Sequence, residues 1–267
     1  MQERDRTQVV SRAGKVARLR VACLGYEITL LPATAYEVCY TPSSTVIGFA
    51  FDSQSGMHAF ESDRVRSFRT KPNSLACIPA GCSVRSSSLL GGEYLTITSA
   101  RAVATRHFNN VIDRRAIEAA QVLRRMLLTR SVPDVLQIET QVATFEALIG
   151  DGTAPARGAE RWMTPRRLKQ VDEYIEARLS GSLDVNGVAR SIGLSSGFFN
   201  RAFRAAIGKT PHDYIVDRRI AAARRSIVDT DMHLADIAVA CGFSSQAHMT
   251  TIFRKRLGIT PALLRKH

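Results

Sequence analysis

"SSQAHMTTIFRKRLGITP", Ser244 to Pro261, rewrites a stretch found earlier in the chain, "SSGFFNRAFRAAIGKTP", Ser195 to Pro211. Ser195 falls on Ser245, Phe203 on Phe253, Arg204 on Arg254, Gly208 on Gly258, Thr210 on Thr260 and Pro211 on Pro261, all at one offset. A common offset marks an internal duplication, the first property to seek in a sequence. Each copy predicts a short helix, a tight turn at a glycine and a second helix. In the first copy Val188, Ala189 and Ile192 face a core, Gly193 turns, and Phe199 and Phe203 anchor the second helix. In the second copy Ile237, Ala238 and Cys241 precede the Gly242 turn, and Phe243, Met249, Ile252 and Phe253 pack after it.

Outward from the repeat, everything after Thr164 reads as helix. Thr164-Pro165 opens a helix carrying Leu168, Val171, Ile175 and Leu179, which Gly181 ends. Asp184 and Ser195 cap the first pair, Thr210-Pro211 opens a long helix through about Val228, and a further helix spans Leu234 to Cys241. Ser245 caps the next helix and Thr260-Pro261 opens a final short one. Ser, Thr or Asp at an N-cap accepts an amide N–H that has no helical partner. Pro in the first turn lacks an N–H that would go unused there, and Gly past the end takes the left-handed conformation. Before this region, "GDGTAPARGAERWMT" has no periodicity and reads as a linker, residues 151–163.

Charge separates the two sides of that linker. The chain of 267 residues has a net charge of +13; residues 156–267 hold 19 Lys and Arg against 10 Asp and Glu, and residues 1–155 hold 18 against 14. The helical part is the basic one, and such a balance favours a phosphate-bearing partner. The second helix of each unit has the size to enter a major groove. Two units joined by one long helix can reach successive grooves, about 34 Å apart on one face of a duplex.

These residues resemble a known family. "VARSIGLSSGFFNRAFRAAIGKTPHDYI" followed by "DIAVACGFSSQAHMTTIFRKRLGITPALLRK" is similar to the two-motif DNA-binding domain of AraC-type transcriptional regulators, over about Thr164 to His267. The resemblance implies base-reading residues on the exposed face of each second helix: Gly197, Asn200 and Arg201 in the first motif, Gln246, Ala247, Thr250 and Thr251 in the second. Chemistry agrees for some of these: Arg201 can pair with a guanine, Asn200 or Gln246 with an adenine, and Ala247 can touch a thymine methyl. Ser195, Lys209, Ser245, Arg254, Lys255 and Arg256 are expected to hold phosphates, which positions a protein without specifying sequence. Two departures from the family pattern stand in the second motif: Met249, where Phe or Leu is usual, and Thr251, where Arg is frequent.

The first part of the chain reads differently. "YEITLLP", "STVIGFAF", "SLACIPAG" and "EYLTIT" are short β-rich runs separated by turn residues, and they predict a sandwich or small barrel. "DRRAIEAAQVLRRMLLTR" then sets Ile117, Ala120, Val122, Leu123, Leu127 and Leu128 on a helical stripe. "PDVLQIETQVATFEALIG" runs as a second helix from Pro133 to Gly150. The segment "KPNSLACIPAGCSV" is similar to the turn and strand of the cupin-like domains that often precede this DNA-binding domain. The resemblance implies an effector site in the barrel and dimerisation through residues 113–149, although helices there would equally serve to cover the barrel.

The expected fold is therefore α+β. A cupin-like β-barrel with trailing helices fills residues 1–150, and an all-α domain with two helix-turn-helix motifs, near 184–207 and 234–257, fills 164–267. The expected partners are double-stranded promoter DNA, a small-molecule effector, a second copy of the chain and, for an activator, RNA polymerase. No cofactor or metal is expected: His58 and His107 are the only histidines before residue 155, with no H-x-H pair. No phosphate-cradling or nucleophile-elbow motif occurs either. Five cysteines without a CxxC pair, no long apolar run and a basic N-terminal arm without an apolar core point to a cytoplasmic chain. Two other readings stand beside this one: a small-molecule enzyme that regulates itself through an appended DNA-binding domain, and a sensorless regulator whose barrel binds protein partners.

Overall fold

A computed structural model describes residues 19–23, 25–101, 104–129, 134–150 and 158–266. The basic N-terminal arm, Pro133 and linker residues 151–157 lie outside the described residues. The chain divides into two compact units, Met1–Ala154 and Pro155–His267.

Ten strands among the described residues build the first unit: β1 (Leu19–Cys23), β2 (Tyr26–Leu31), β3 (Tyr36–Tyr40), β4 (Thr45–Ala50), β5 (Gln54–Phe60), β6 (Arg66–Thr70), β7 (Ser74–Ile78), β8 (Val84–Ser88), β9 (Tyr94–Ser99) and β10 (Phe108–Val111). They pair antiparallel in two sheets, ordered β1-β2-β9-β4-β7-β10 and β3-β8-β5-β6, so the cupin-like body is an open double sheet rather than a closed barrel.

Alternation explains the layering. Ile28, Leu30, Ile47, Phe49, Leu75, Cys77, Leu95 and Ile97 stand on one face of the larger sheet and are buried. Helices α1 (Arg114–Thr129) and α2 (Val135–Gly150) belong to this side: Phe145 meets Phe49 edge-on at 6.3 Å, and the Ser99 hydroxyl donates to Glu146 Oε1 at 2.6 Å. Burying each such large side chain contributes about 1.5–3 kcal/mol. An ion pair between Arg124 of α1 and Glu93, which stands just before β9, fastens helix to sheet; the two side chains are 12% and 2% exposed. The Arg124 guanidinium also lies 4.6 Å from the Phe51 ring centroid.

The other face of the larger sheet carries Tyr94, which sits close enough to Tyr36 and Tyr40 of β3 to feel their charge. Burial raises all three phenols above their ordinary range, Tyr40 to about 12.

The second unit is helical. After a short 3-10 turn, Ala159–Trp162, come α3 (Pro165–Glu176), α4 (Val185–Ser191), α5 (Ser196–Ile207), α6 (Pro211–Asp229), α7 (Leu234–Ala240), α8 (Gln246–Leu257) and α9 (Pro261–Lys266). The expected caps form at Thr164, Asp184, Thr210 and Ser245, whose side chains accept amide N–H groups of the first turn. Ser195 sits at the N-cap of α5 without a side-chain bond. Helix α3 stops at Glu176, ahead of Leu179 and Gly181, because the chain tightens after Ala177. Gly208 and Gly258 both take φ 76°, the left-handed exit that a side chain disfavours, so the two G-x-T-P corners have the same shape.

Candidate nucleic-acid interface

The two repeated units are α4–α5 and α7–α8, each a short helix, a turn and a twelve-residue second helix. Helix α5 buries Phe199, Ala202, Phe203, Ala206 and Ile207; α8 buries Met249, Phe253 and Leu257. The opposite faces are left to solvent. On α5 that face carries Gly197, Asn200, Arg201 and Arg204. On α8 it carries Gln246, Ala247, Thr251, Arg254 and Lys255, with Thr250 partly buried beside them. The seven residues expected to read bases thus lie on the outward sides of the two second helices, and so do Arg254 and Lys255.

Their polar groups are already partly engaged. The Asn200 amide donates to Ser196 O at 3.0 Å. The Thr250 and Thr251 hydroxyls donate back to Gln246 O and Ala247 O at 2.9 and 3.1 Å. Each threonine oxygen keeps lone pairs for an outside donor, whereas Asn200 must release Ser196 to use its whole amide. Arg201 stands over Phe198, 5.9 Å from the ring centroid, and Phe198 is met edge-on by Trp162 at 5.5 Å. Among the described residues, Arg201 has no carboxylate within ion-pair distance.

The cations expected to hold phosphates fall into two groups. Arg254 and Lys255 are exposed and make no ion pair among the described residues. Ser195 keeps its hydroxyl out of the cap, whereas Ser245 uses its own to accept the His248 N–H. Lys209 and Arg256 are tied inward instead. Lys209 Nζ lies 2.6 Å from Asp217 Oδ2, with 11% of its side chain exposed, and Arg256 pairs with Asp213. Both acids belong to α6.

Helix α6 is the frame of the unit. The Tyr214 hydroxyl donates to Asp172 of α3 at 2.6 Å, Arg218 pairs with Glu176, and Arg219 donates to the carbonyls of Leu179 and Gly181. The arginines of α6 therefore include two that hold α3 and the turn after it. Burial raises the Asp213 carboxyl, but hydrogen bonds from Arg256 and Thr210, with the Arg256 charge, outweigh this and hold it below the usual carboxylate range.

Two residues of this surface escaped the sequence reading. Arg204 is exposed one turn beyond Arg201. The repeat itself marks it, since Arg204 falls on Arg254. His248, also exposed, accepts the Ser244 N–H at Nδ1, 3.3 Å away, which leaves the hydrogen of a neutral ring on Nε2. No spacing in the sequence announces that bond.

A helix-turn-helix domain model matches residues 188–267. The probable transcription factor PqrA of Proteus vulgaris is 32% identical over 107 residues, covering 39% of this chain and 88% of PqrA. The chain belongs to the AraC-type transcriptional regulators. Other AraC-type relatives are longer: the regulator ExsA of Pseudomonas aeruginosa is 29% identical over 106 residues, 40% of this chain and 38% of ExsA. The chain thus spans about two fifths of that relative. A solved AraC-type regulator structure from Chromobacterium violaceum is 29% identical, covers 38% of this chain and 90% of its own, and superposes with a TM-score of 0.36. Among the described residues of this AraC-type chain, no helix is long and apolar enough to cross a membrane.

Proposed function

We propose that this chain is a sequence-specific regulator of transcription that lays α5 and α8 into successive major grooves of a promoter. The observation that carries the reading is the duplicated unit with its outward cations. In both copies the second helix buries an apolar stripe and turns to solvent positive groups with no ion pair among the described residues: Arg201 and Arg204 in one, Arg254 and Lys255 in the other. Helix α6 has 19 residues, about 28 Å at 1.5 Å per residue. That length suits the roughly 34 Å repeat of the groove. Asn200, Arg201, Gln246, Ala247, Thr250 and Thr251 read base edges, with Gly197 allowing close approach. Ser195, Arg204, Arg254 and Lys255 hold phosphates. Lys209 and Arg256 serve the protein frame rather than the backbone of the duplex.

The first unit senses a small molecule between its two sheets, where Tyr36, Tyr40 and Tyr94 gather. The exposed sides of α1 and α2 are available for dimerisation, and RNA polymerase is a partner if the protein activates.

Selection from a random duplex pool tests the core of this reading. The full chain should enrich a site with two base-specific half-elements about one helical turn apart. Enrichment of a single half-element, or none, refutes it. For the first unit, the test is thermal unfolding of the full chain against sugars, amino acids and aromatic acids. A ligand at a hundred times its dissociation constant should stabilise by about 2.7 kcal/mol.

A further inference from the structure

The two copies differ at many positions, and the structure brings two of those positions together. At the shared offset, Asp213 falls on Leu263 and Arg256 falls on Ala206. Ala206 is 2% exposed inside the first motif and could not host a charge, while Leu263 is an apolar residue, 41% exposed, where Asp213 stands in the first copy. Yet Asp213 and Arg256 are ion-paired. A residue peculiar to the second motif thus reaches a residue peculiar to the first corner.

Asp213 is well placed to join the two halves. It is the third residue of α6, immediately after the G-x-T-P exit of the first motif. The Thr210 hydroxyl accepts the Asp213 N–H at 3.1 Å and donates to Oδ2 at 2.8 Å. The other oxygen, Oδ1, takes the Arg256 guanidinium, which projects from the last turn of α8. One carboxylate thus binds the corner that ends the first unit to the recognition helix of the second.

A separate contact lies at the turn of the second motif. Gly242, at φ +80°, rests on the loop after α3: a Cβ there would stand 2.2 Å from Leu179 O and 2.7 Å from Arg219 Nε. Helices α7 and α9 also pack against α6. Gly242 and the Asp213–Arg256 pair are two further, well-separated contacts that resist rotation of the second motif on that packing.

We propose that Asp213 and Arg256 are positioning residues that fix the rotation of α8 relative to α5, and so dictate the spacing between the half-elements the protein accepts. This rests on the two-groove reading above. Adding one base pair between half-elements displaces the second by about 3.4 Å and turns it by roughly 35°. A locked pair of helices rejects that step; a hinged pair follows it. The pair is partly exposed, at 27% and 37%, and such pairs add little to stability. Its loss should therefore leave the fold standing while loosening the register.

The experiment uses the full chain and the duplex it selects from a random pool, with versions of that duplex lengthened or shortened by one base pair between half-elements. Wild-type protein should bind the altered duplexes about tenfold or more weaker, the scale of one mismatched base pair. Asp213→Asn, Arg256→Gln and the double variant should lose that discrimination, to about threefold or less, with base preferences inside each half-element unchanged. The double variant should be no more tolerant than either single one, as for partners acting as one unit. Asp213→Glu, which keeps the charge, should retain discrimination, and unfolding followed by Trp162 emission confirms that each variant is folded.

Equal weakening at all spacings would overturn the proposal. So would a shallower salt dependence for Arg256→Gln without one for Asp213→Asn, which would make Arg256 a phosphate contact. Wild-type tolerance of the shifted duplexes would also overturn it. If wild-type protein selects no bipartite duplex, the two-groove reading itself falls and the spacing role with it.

Discussion

Removing Arg254 and Lys255 together should change how DNA binding responds to salt, by an amount the structure sets. Each protein cation that holds a phosphate releases counterions, and the logarithm of the binding constant falls against the logarithm of salt with a slope of about −0.9 per contact. Both side chains are exposed on the outward side of α8 and pair with no acid among the described residues, so each is free to make one contact. The double alanine variant should flatten the slope by about 1.8. Between 50 and 200 mM salt one contact corresponds to about 3.5-fold and two to about 12-fold, so the variant's penalty should shrink by about 12-fold across that range.

Lys209→Met is the matched control. Lys209 is also a cationic side chain, but its ammonium lies 2.6 Å from Asp217 and is largely buried. Its loss should lower the unfolding temperature and leave the slope alone. Anisotropy titrations of a labelled, selected duplex over a series of KCl concentrations measure both. An unchanged slope in the double variant, or a slope about 0.9 flatter in Lys209→Met, would refute the division into outward and inward cations.

Arg201→Ala should cost about 1–3 kcal/mol at the selected site and relax preference at one base pair; uniform weakening across mismatched duplexes would reassign Arg201 to a phosphate. In the first unit, Arg124→Met removes the Arg124 cation from the buried Glu93 carboxylate and should destabilise by about 3–5 kcal/mol, much of which the added change Glu93→Gln should restore. Urea unfolding followed by far-ultraviolet circular dichroism tests this, and equal stability of the single and double variants would contradict it. Gly242→Ala puts a side chain at φ +80° against a backbone carbonyl and should cost more than about 2 kcal/mol in the second unit, seen in Trp162 emission on thermal unfolding; an unchanged midpoint would refute the close approach. Cys39 is exposed, while burial pushes the Cys77 thiol up to about 12, so iodoacetamide at pH 8 should label Cys39 in the folded protein and spare Cys77 until it unfolds. Equal labelling rates would contradict that burial.

The second unit was legible because its helix ends are written in chemistry that acts locally. Thr164, Asp184, Thr210 and Ser245 each cap a helix through an atom a few residues away, so sequence order alone exposes them. Leu179 misled because an apolar residue four positions after Ile175 continues the helical stripe, although the backbone has already tightened at Ala177. In the first unit, strands with strong apolar runs, such as β4 and β9, announce themselves. Strands such as β8, "VRSSS", and β6, "RSFRT", do not, because their extended state comes from neighbours distant in sequence: β8 lies between β3 and β5. The same limit governs the interface. Exposure of Arg201 and Lys255 followed from helical spacing, but nothing local distinguishes them from Lys209 or Arg256, whose acids lie on another helix or two turns along.

The two motifs also differ in the connection between their helices. Four residues, 192–195, join α4 to α5, whereas five, 241–245, join α7 to α8, although the second helices are equal in length. The copies are therefore not interchangeable modules. Transplanting residues 246–257 into the place of 196–207 would carry the reading face without the bend that aims it. A graft of this kind keeps its aim only if residues 241–245 travel with the helix, so a library meant to redirect the protein to new promoters is best cut at Cys241 rather than at Gln246.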